Sequence, residues 1–238
     1  MALVPPKQYT VTVTKIVDMS PTTKLFRLVF PAGTAFLFTA GQFVTVYNTT
    51  ASGEVKRSFS IASKSSDSSF IELLIKKKEG GALTPWLHGI SEGAQLVIKG
   101  PYGLFNIKHN DKDIVLIAAG AGVAPFRGMI YYYLEQGGRQ TITLVFGFRS
   151  EEDFFFREEL EALMKKYPNF HLIPSASQPS ENWKGERGRV VAILSKHLTS
   201  ATNKDVYVCG PQQMIADTVQ ALKQIGFTSD QIFFERWN

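Results

Sequence analysis

The chain has 238 residues, enough for two compact cores, and its 44% hydrophobic and 20% charged content is ordinary for a globular protein. Its net charge of +5 comes with no nucleic-acid motif, and its N-terminus shows no basic region followed by an apolar run. One cysteine, Cys209, and four histidines without ligand spacing exclude an internal disulfide, a Cys-based zinc site and an iron–sulfur cluster, so no metal is expected.

The first half reads as strands at 9–17, 24–30, 42–47, 57–61, 70–77 and 95–98, rich in Val, Ile, Thr and Phe. Gly, Pro, Ser and Asp separate them, which predicts an antiparallel barrel or sandwich, with one helical patch at 83–88. The second half alternates. Strands are predicted at 113–119, 141–146, 170–174 and 205–209, each followed by a helix, at 125–135, 154–166, 190–198 and 212–225. A short edge strand at 232–235 closes the series. This pattern predicts a doubly wound parallel sheet with helices on both faces. The polar stretch at 109–113 divides the chain into domains at 1–108 and 109–238. No repeat is visible. The apolar stretch at 114–119 is too short to cross a bilayer, so a soluble, cytoplasmic protein without membrane contact is expected.

In a parallel sheet, ligands bind at the carboxyl ends of the strands. The first such end reads Gly120-Ala121-Gly122-Val123-Ala124-Pro125. Its glycines permit a tight turn and close approach of a pyrophosphate, and Pro125 suits a first helical turn whose amides face the anion. A purely structural turn accounts for the same residues. Two further ends carry Gly147-Phe148-Arg149-Ser150 and Cys209-Gly210-Pro211. Three glycine-marked ends on one edge outline a site of dinucleotide size.

In the first half, Arg57, Ser58, Phe59, Ser60, Ile61, Ala62 and Ser63 combine a cation, an aromatic ring and three hydroxyls. On an alternating strand Arg57, Phe59 and Ile61 share one face, and Ser58, Ser60 and Ala62 the other. The segment fits a phosphate-bearing ring ligand or a polar edge strand. Gly80-Gly81-Ala82-Leu83-Thr84-Pro85 precedes a short helix and fits either a second phosphate cradle or a helix start with nothing bound.

Together and in this order, these segments resemble the ferredoxin–NADP reductase superfamily, from about residue 9 to residue 237. The resemblance implies a flavin-binding barrel followed by a nicotinamide-binding α/β domain. Arg57, Phe59, Ser60 and Ser63 match the family's Arg-x-Tyr/Phe-Ser-x-x-Ser/Thr. It implies that Arg57 holds the flavin pyrophosphate, Phe59 packs on the isoalloxazine and Ser60 bonds flavin N5. Gly81 to Thr84 resemble the second phosphate loop, and Ile75 and Lys76 lie where the backbone meets the ring edge. Gly120 to Pro125 correspond to Gly-Thr-Gly-Ile/Val-Ala-Pro, with Ala121 in place of the usual threonine. Cys209-Gly210-Pro211 correspond to Cys-Gly-Pro, whose cysteine lies near the reacting nicotinamide carbon. Glu235 and Trp237 fall where relatives carry a carboxylate and an aromatic. Ser60, Cys209 and Glu235 are thus the candidate catalytic residues, tuning the site rather than attacking as nucleophiles.

The resemblance implies FAD and either NADH or NADPH as cofactors, and a monomer. NADP-specific relatives often carry Ser-Arg after the third strand; here Ser177 is followed by Gln178, which cannot make a charge-assisted contact to a 2′-phosphate. That favours NADH, while Arg187 and Arg189, shortly downstream, leave NADPH open. Residues 1–108 hold 12 Lys/Arg against 6 Asp/Glu, and residues 109–238 hold 14 against 15. The basic half suits an acidic electron-carrier protein or an oxygenase component as a separate acceptor. Two other readings stand beside this one: a reductase of free flavin, with flavin as substrate, and a non-catalytic subunit that keeps the fold.

Overall fold

A computed structural model of the protein describes residues 5–50, 53–108 and 110–235, so Trp237 lies outside the described residues. The chain forms two compact units, one of residues 1–106 with 124–132, the other of residues 107–123 with 133–238.

The first unit is an antiparallel sheet of β1 (Lys7–Ser20), β2 (Thr23–Val29), β3 (Phe43–Thr50), β4 (Gly53–Ser60), β5 (Phe70–Lys76) and β6 (Gln95–Tyr102). Their order is β4-β3-β6-β1-β2-β5. The sheet curls until its two edges meet at the Ile61–Leu73 bridge, and Ala62 N donates to Glu72 O at 2.8 Å beside it. Closure removes most of the exposed edge, the usual liability of such sheets. Alternate residues of β1, β2, β3 and β6 point inward: Val11 and Val13, Phe26 and Leu28, Val44 and Val46, Leu96 and Ile98 are all buried. Helix α1 (Thr84–Gly89) caps this core through Leu87, with Leu83 anchoring the turn that enters it. Every strand predicted for this half is present. Several are longer than the apolar pattern indicates, because hydrogen-bonded hairpin arms continue past the buried residues: β4 begins at Gly53, where Lys56 and Arg57 are exposed.

The second unit is a parallel sheet of β7 (Asp113–Ala119), β8 (Ile142–Phe148), β9 (Phe170–Ala176), β10 (Glu186–Arg187), β11 (Lys204–Cys209) and β12 (Ile232–Glu235). The order is β10-β9-β8-β7-β11-β12. Chain order runs outward from β7 through β8 and β9, then returns to the other side of β7 for β11. The central strands read as nearly continuous apolar runs, as strands covered on both faces must. Helices α2 (Val123–Glu135), α3 (Arg157–Lys166), α4 (Val190–His197) and α5 (Gln212–Ile225) connect them. Helix α3 starts later than the predicted 154, because Phe154, Phe155 and Phe156 turn inward and Phe156 takes φ +60° before the helix begins. The two-residue β10 carries no sequence signal. Residues 124–132 of α2 pack with the barrel unit, although the residues on either side belong with the parallel sheet. No described helix is long and apolar enough to cross a membrane, and no group of His, Cys, Asp and Glu among the described residues could hold a metal ion.

Candidate functional site

In the barrel unit the segment from Arg57 to Ser63 passes from exposed to buried along its length. Arg57 is exposed, its Nη1 donating to Lys56 O at 2.7 Å, and Ser58 Oγ meets Thr45 Oγ1 at 3.2 Å. Phe59 is half-buried, with its ring against the barrel core. Ser60, Ile61, Ala62 and Ser63 are buried. Alternation holds for Phe59 and Ile61, which both reach the core. From Ser60 onward the residues of the opposite face are buried as well, with Gly128 of α2 packed on Ser63.

The Gly80–Gly81 turn lies beside α1. Gly80 has φ +69°, and a Cβ there would meet nothing, so the surface above the turn is open. Gly81 N donates to Lys78 O, and Thr84 Oγ1 accepts from Lys78 N at 2.9 Å, closing a small loop. The Thr84 hydroxyl hydrogen stays available to an anion. Leu83 is buried and anchors the turn, while Ala82 is exposed. His88 Nε2 meets Ile75 O at 2.9 Å and pins α1 to β5; burial lowers the His88 pKa, with the Ile75 carbonyl opposing. The Ile75 side chain belongs to the core, so only its backbone can face a ligand at this edge, while Lys76 is exposed. An exposed guanidinium, an open glycine turn and a hydroxyl loop are each donor types suited to a pyrophosphate. These residues fit FAD.

In the parallel unit the strand order reverses between β7 and β11, so the crevice at their carboxyl ends is the topological switch point. Two of the three predicted glycine motifs, at Gly120–Gly122 and Gly210, fall there. Gly120 has φ +53° with open space where a Cβ would stand, and a single helical turn, Gly120–Gly122, leads into α2. A Cβ on Gly122 would come within 2.2 Å of the Cys209 carbonyl oxygen. A Cβ on Gly210 would meet the Ala119 side chain at 3.3 Å. The two turns are therefore in direct backbone contact, which only glycine allows. Ala121, Val123 and Pro125 are buried, and Pro211 is exposed.

Cys209 is fully buried, and burial, with the Glu235 carboxylate beside it, pushes its thiol pKa well above the usual range. A neutral thiol is a weak donor and no nucleophile. Glu235 lies opposite Cys209 in the β11–β12 ladder, so the structure brings these two predicted residues together.

Gly147 packs on the first residue of α4, where a Cβ would lie 2.9 Å from Val190 Cβ. Just beyond, Arg149 and Gln178 form a reciprocal pair: Arg149 Nε donates to Gln178 Oε1 and Gln178 N to Arg149 O, both at 2.7 Å. Ser177 is exposed, its amide donating to Phe148 O. Arg187 Nη2 donates to the carbonyls of Ser180, Glu181 and Trp183 and so staples its own loop. Arg189 is exposed at the start of α4. Arg187 is thus engaged with backbone, while Arg149 and Arg189 keep outward-facing charge. The glycine turns at this switch point, which bring backbone to the strand ends, fit a nicotinamide dinucleotide.

Sequence reading passed over Glu72. The signal was present: one carboxylate inside the apolar run Phe70-Ile71-Glu72-Leu73-Leu74-Ile75 must be buried with a partner. The partner, Arg127, lies 55 residues away and could not be read from the pattern.

The oxidoreductase FAD-binding domain family matches residues 10–107, and the oxidoreductase NAD-binding domain family matches residues 116–220. The chain is 36% identical over 236 residues to the phenol hydroxylase P5 protein of Acinetobacter pittii, covering 97% of this chain and 66% of that one. It is 34% identical over 214 residues to ferredoxin–NADP reductase B of Sorangium cellulosum, covering 87% and 88%. Its fold matches that of an Amycolatopsis cytochrome P450 reductase with a TM-score of 0.89 at 24% identity, over 98% of this chain and 70% of that one. The chain thus spans about two thirds of the hydroxylase relative and most of the ferredoxin reductase.

Proposed function

The chain belongs to the ferredoxin–NADP reductase superfamily of NAD(P)H-dependent flavoprotein oxidoreductases, and we propose that it carries electrons from NADH through FAD to a separate acceptor. The observation that carries this reading is the meeting of the Gly120–Gly122 turn and the Cys209–Gly210 turn at the switch point, in a chain that also presents the Arg57 to Ser63 segment.

When bound, FAD accepts two electrons as hydride from the nicotinamide and can release them singly. The chain supplies binding and orientation. Arg57 would hold the flavin pyrophosphate together with the amides of Gly81, Ala82 and Leu83 and the Thr84 hydroxyl. Phe59 would support the ring, Ser60 would bond N5, and the backbone of Ile75 and Lys76 would border the ring edge. Phe59 lacks the hydroxyl of the commoner tyrosine, so it would make one ribityl hydrogen bond fewer. Gly120, Ala121, Gly122, Val123 and Pro125 would cradle the nucleotide pyrophosphate, with Gly147, Gly210 and Pro211 shaping the crevice. Cys209, held neutral, and Glu235 would border the nicotinamide; neither needs to exchange a proton. NADH is the preferred coenzyme because Gln178 offers an amide rather than a second cation beside Arg149 for a 2′-phosphate.

The basic residues of the barrel half favour an acidic partner, and the hydroxylase and ferredoxin reductase relatives suggest an oxygenase component or a ferredoxin-like carrier. Anaerobic visible spectroscopy tests the proposal. A yellow protein whose flavin band bleaches within seconds of adding NADH, and more slowly with NADPH, is the expected result. A colourless protein that oxidises NADH only with added flavin points instead to a free-flavin reductase. A colourless protein that stays inactive with FAD overturns the hydride-transfer claim.

A further inference from the structure

Glu72 is buried in β5, and its bonds converge on one place. Oε1 accepts from Arg27 Nε at 3.1 Å and Nη2 at 2.8 Å, and Oε2 accepts from Arg127 Nη1 at 2.6 Å. The same Arg127 nitrogen donates to Ala62 O at 3.1 Å. The Glu72 amide donates to Ser63 Oγ at 3.1 Å, and its carbonyl accepts from Ala62 N at 2.8 Å. Helix α2 adds to the enclosure: a Cβ on Gly128 would lie 2.8 Å from Ser63 O. Ala62 and Ser63 are thus held by the Glu72 backbone at the Ala62 amide and the Ser63 hydroxyl, by Arg127 at the Ala62 carbonyl and by close packing, and the Glu72 carboxylate fixes Arg127.

A buried ion pair costs desolvation, and an apolar pair of similar volume often gives equal or greater stability. What such a pair adds is geometric definition, since an Arg bonded to both a carboxylate and a carbonyl has little freedom. The geometry here defines the last two residues of the Arg57 to Ser63 segment.

We propose that Glu72 and Arg127 are positioning residues for the flavin: they hold Ala62 and Ser63 rigid, and so fix the direction of the Ser60 hydroxyl two residues upstream. The inference rests on the reading of Arg57 to Ser63 as the flavin segment. It assigns a role in flavin geometry to Arg127, a residue of the helix that follows the dinucleotide turn.

The test compares the purified full chain with Arg127→Lys, Arg127→Gln and Glu72→Gln. Three quantities are read: FAD affinity from quenching of flavin fluorescence, the flavin midpoint potential, and amide hydrogen exchange at Ala62 and Ser63 without flavin. Arg127→Gln is expected to weaken FAD binding about tenfold or more. It should also shift the potential and speed exchange at Ala62, with the KM for NADH unchanged. Arg127→Lys, which keeps a charge on Glu72, recovers most of the affinity. If Glu72→Gln does not fold, the two Arg127 variants decide the question. Wild-type affinity, potential and exchange in Arg127→Gln overturn the inference while leaving the flavin reading intact. A wild-type chain that takes up no FAD overturns the flavin reading, and the inference falls with it.

Discussion

The two units build the edges proposed to face their ligands by different means. In the parallel sheet the backbone does most of it: Gly120, Gly122 and Gly210 clear the switch point, and Gly122 lies against the Cys209 carbonyl with no room for a methyl group. In the barrel the open Gly80–Gly81 turn is joined by polar side chains: Arg57 at the surface, the Thr84 loop, and behind them the buried Glu72 between Arg27 and Arg127. The difference follows from topology. A reversal of strand order in a parallel sheet opens a crevice wherever the connecting turns are small. A closed antiparallel barrel has no such opening, so a ligand must be gripped by specific charges and hydroxyls on its rim.

The contrast breaks most sharply at Gly122. Gly122→Ala forces the two turns apart, and misplacement of this order costs on the order of 100-fold in rate. NADH-dependent flavin reduction should fall by that factor in stopped-flow measurements while FAD binding holds. A loss of FAD alone would mean that the parallel unit's backbone is not the nucleotide-binding element.

Next comes Glu72→Ala, which leaves two guanidinium groups without their carboxylate and is expected to cost about 3–5 kcal/mol. Thermal melts should place its midpoint roughly 6–20 °C lower. Burial raises the Glu72 pKa, but Arg127 and then Arg27 outweigh it and leave the carboxyl below the ordinary 4.5. A depressed pKa means that its stabilisation is fully present above 4.5 and is lost as pH falls through the lowered value. The gap between wild type and variant should therefore close in strongly acidic melts and stay constant from pH 6 to 8.

A smaller effect sharpens the comparison on the nucleotide side. Gln178→Arg sets a second cation beside Arg149 and should raise kcat/KM for NADPH about tenfold relative to NADH. No change in that ratio would remove position 178 from coenzyme selection.

The smallest effect concerns Cys209. Its buried, neutral thiol should resist iodoacetamide for hours at pH 8 and react fully once the chain is unfolded. Rapid alkylation of the folded chain, followed by mass spectrometry, would contradict the buried position.

The alternation of strand and helix, the glycines at three strand ends and the Arg57 to Ser63 motif are local patterns, and each was legible as a string of residues. Period and turn chemistry act over a few neighbours, so β7, α5 and β12 could be bounded to the residue from sequence. The tertiary structure decided what depends on distant partners. It set Gly122 against Cys209, 87 positions apart in the chain. It turned Arg187 onto its own loop and paired Arg149 with Gln178. It joined Arg127 to Glu72 and placed the middle of α2 with the barrel. A buried carboxylate announces in sequence that it must have a partner, because an unpaired charge in a core is too costly. Which partner it takes depends on how the chain folds back, and no local pattern encodes that.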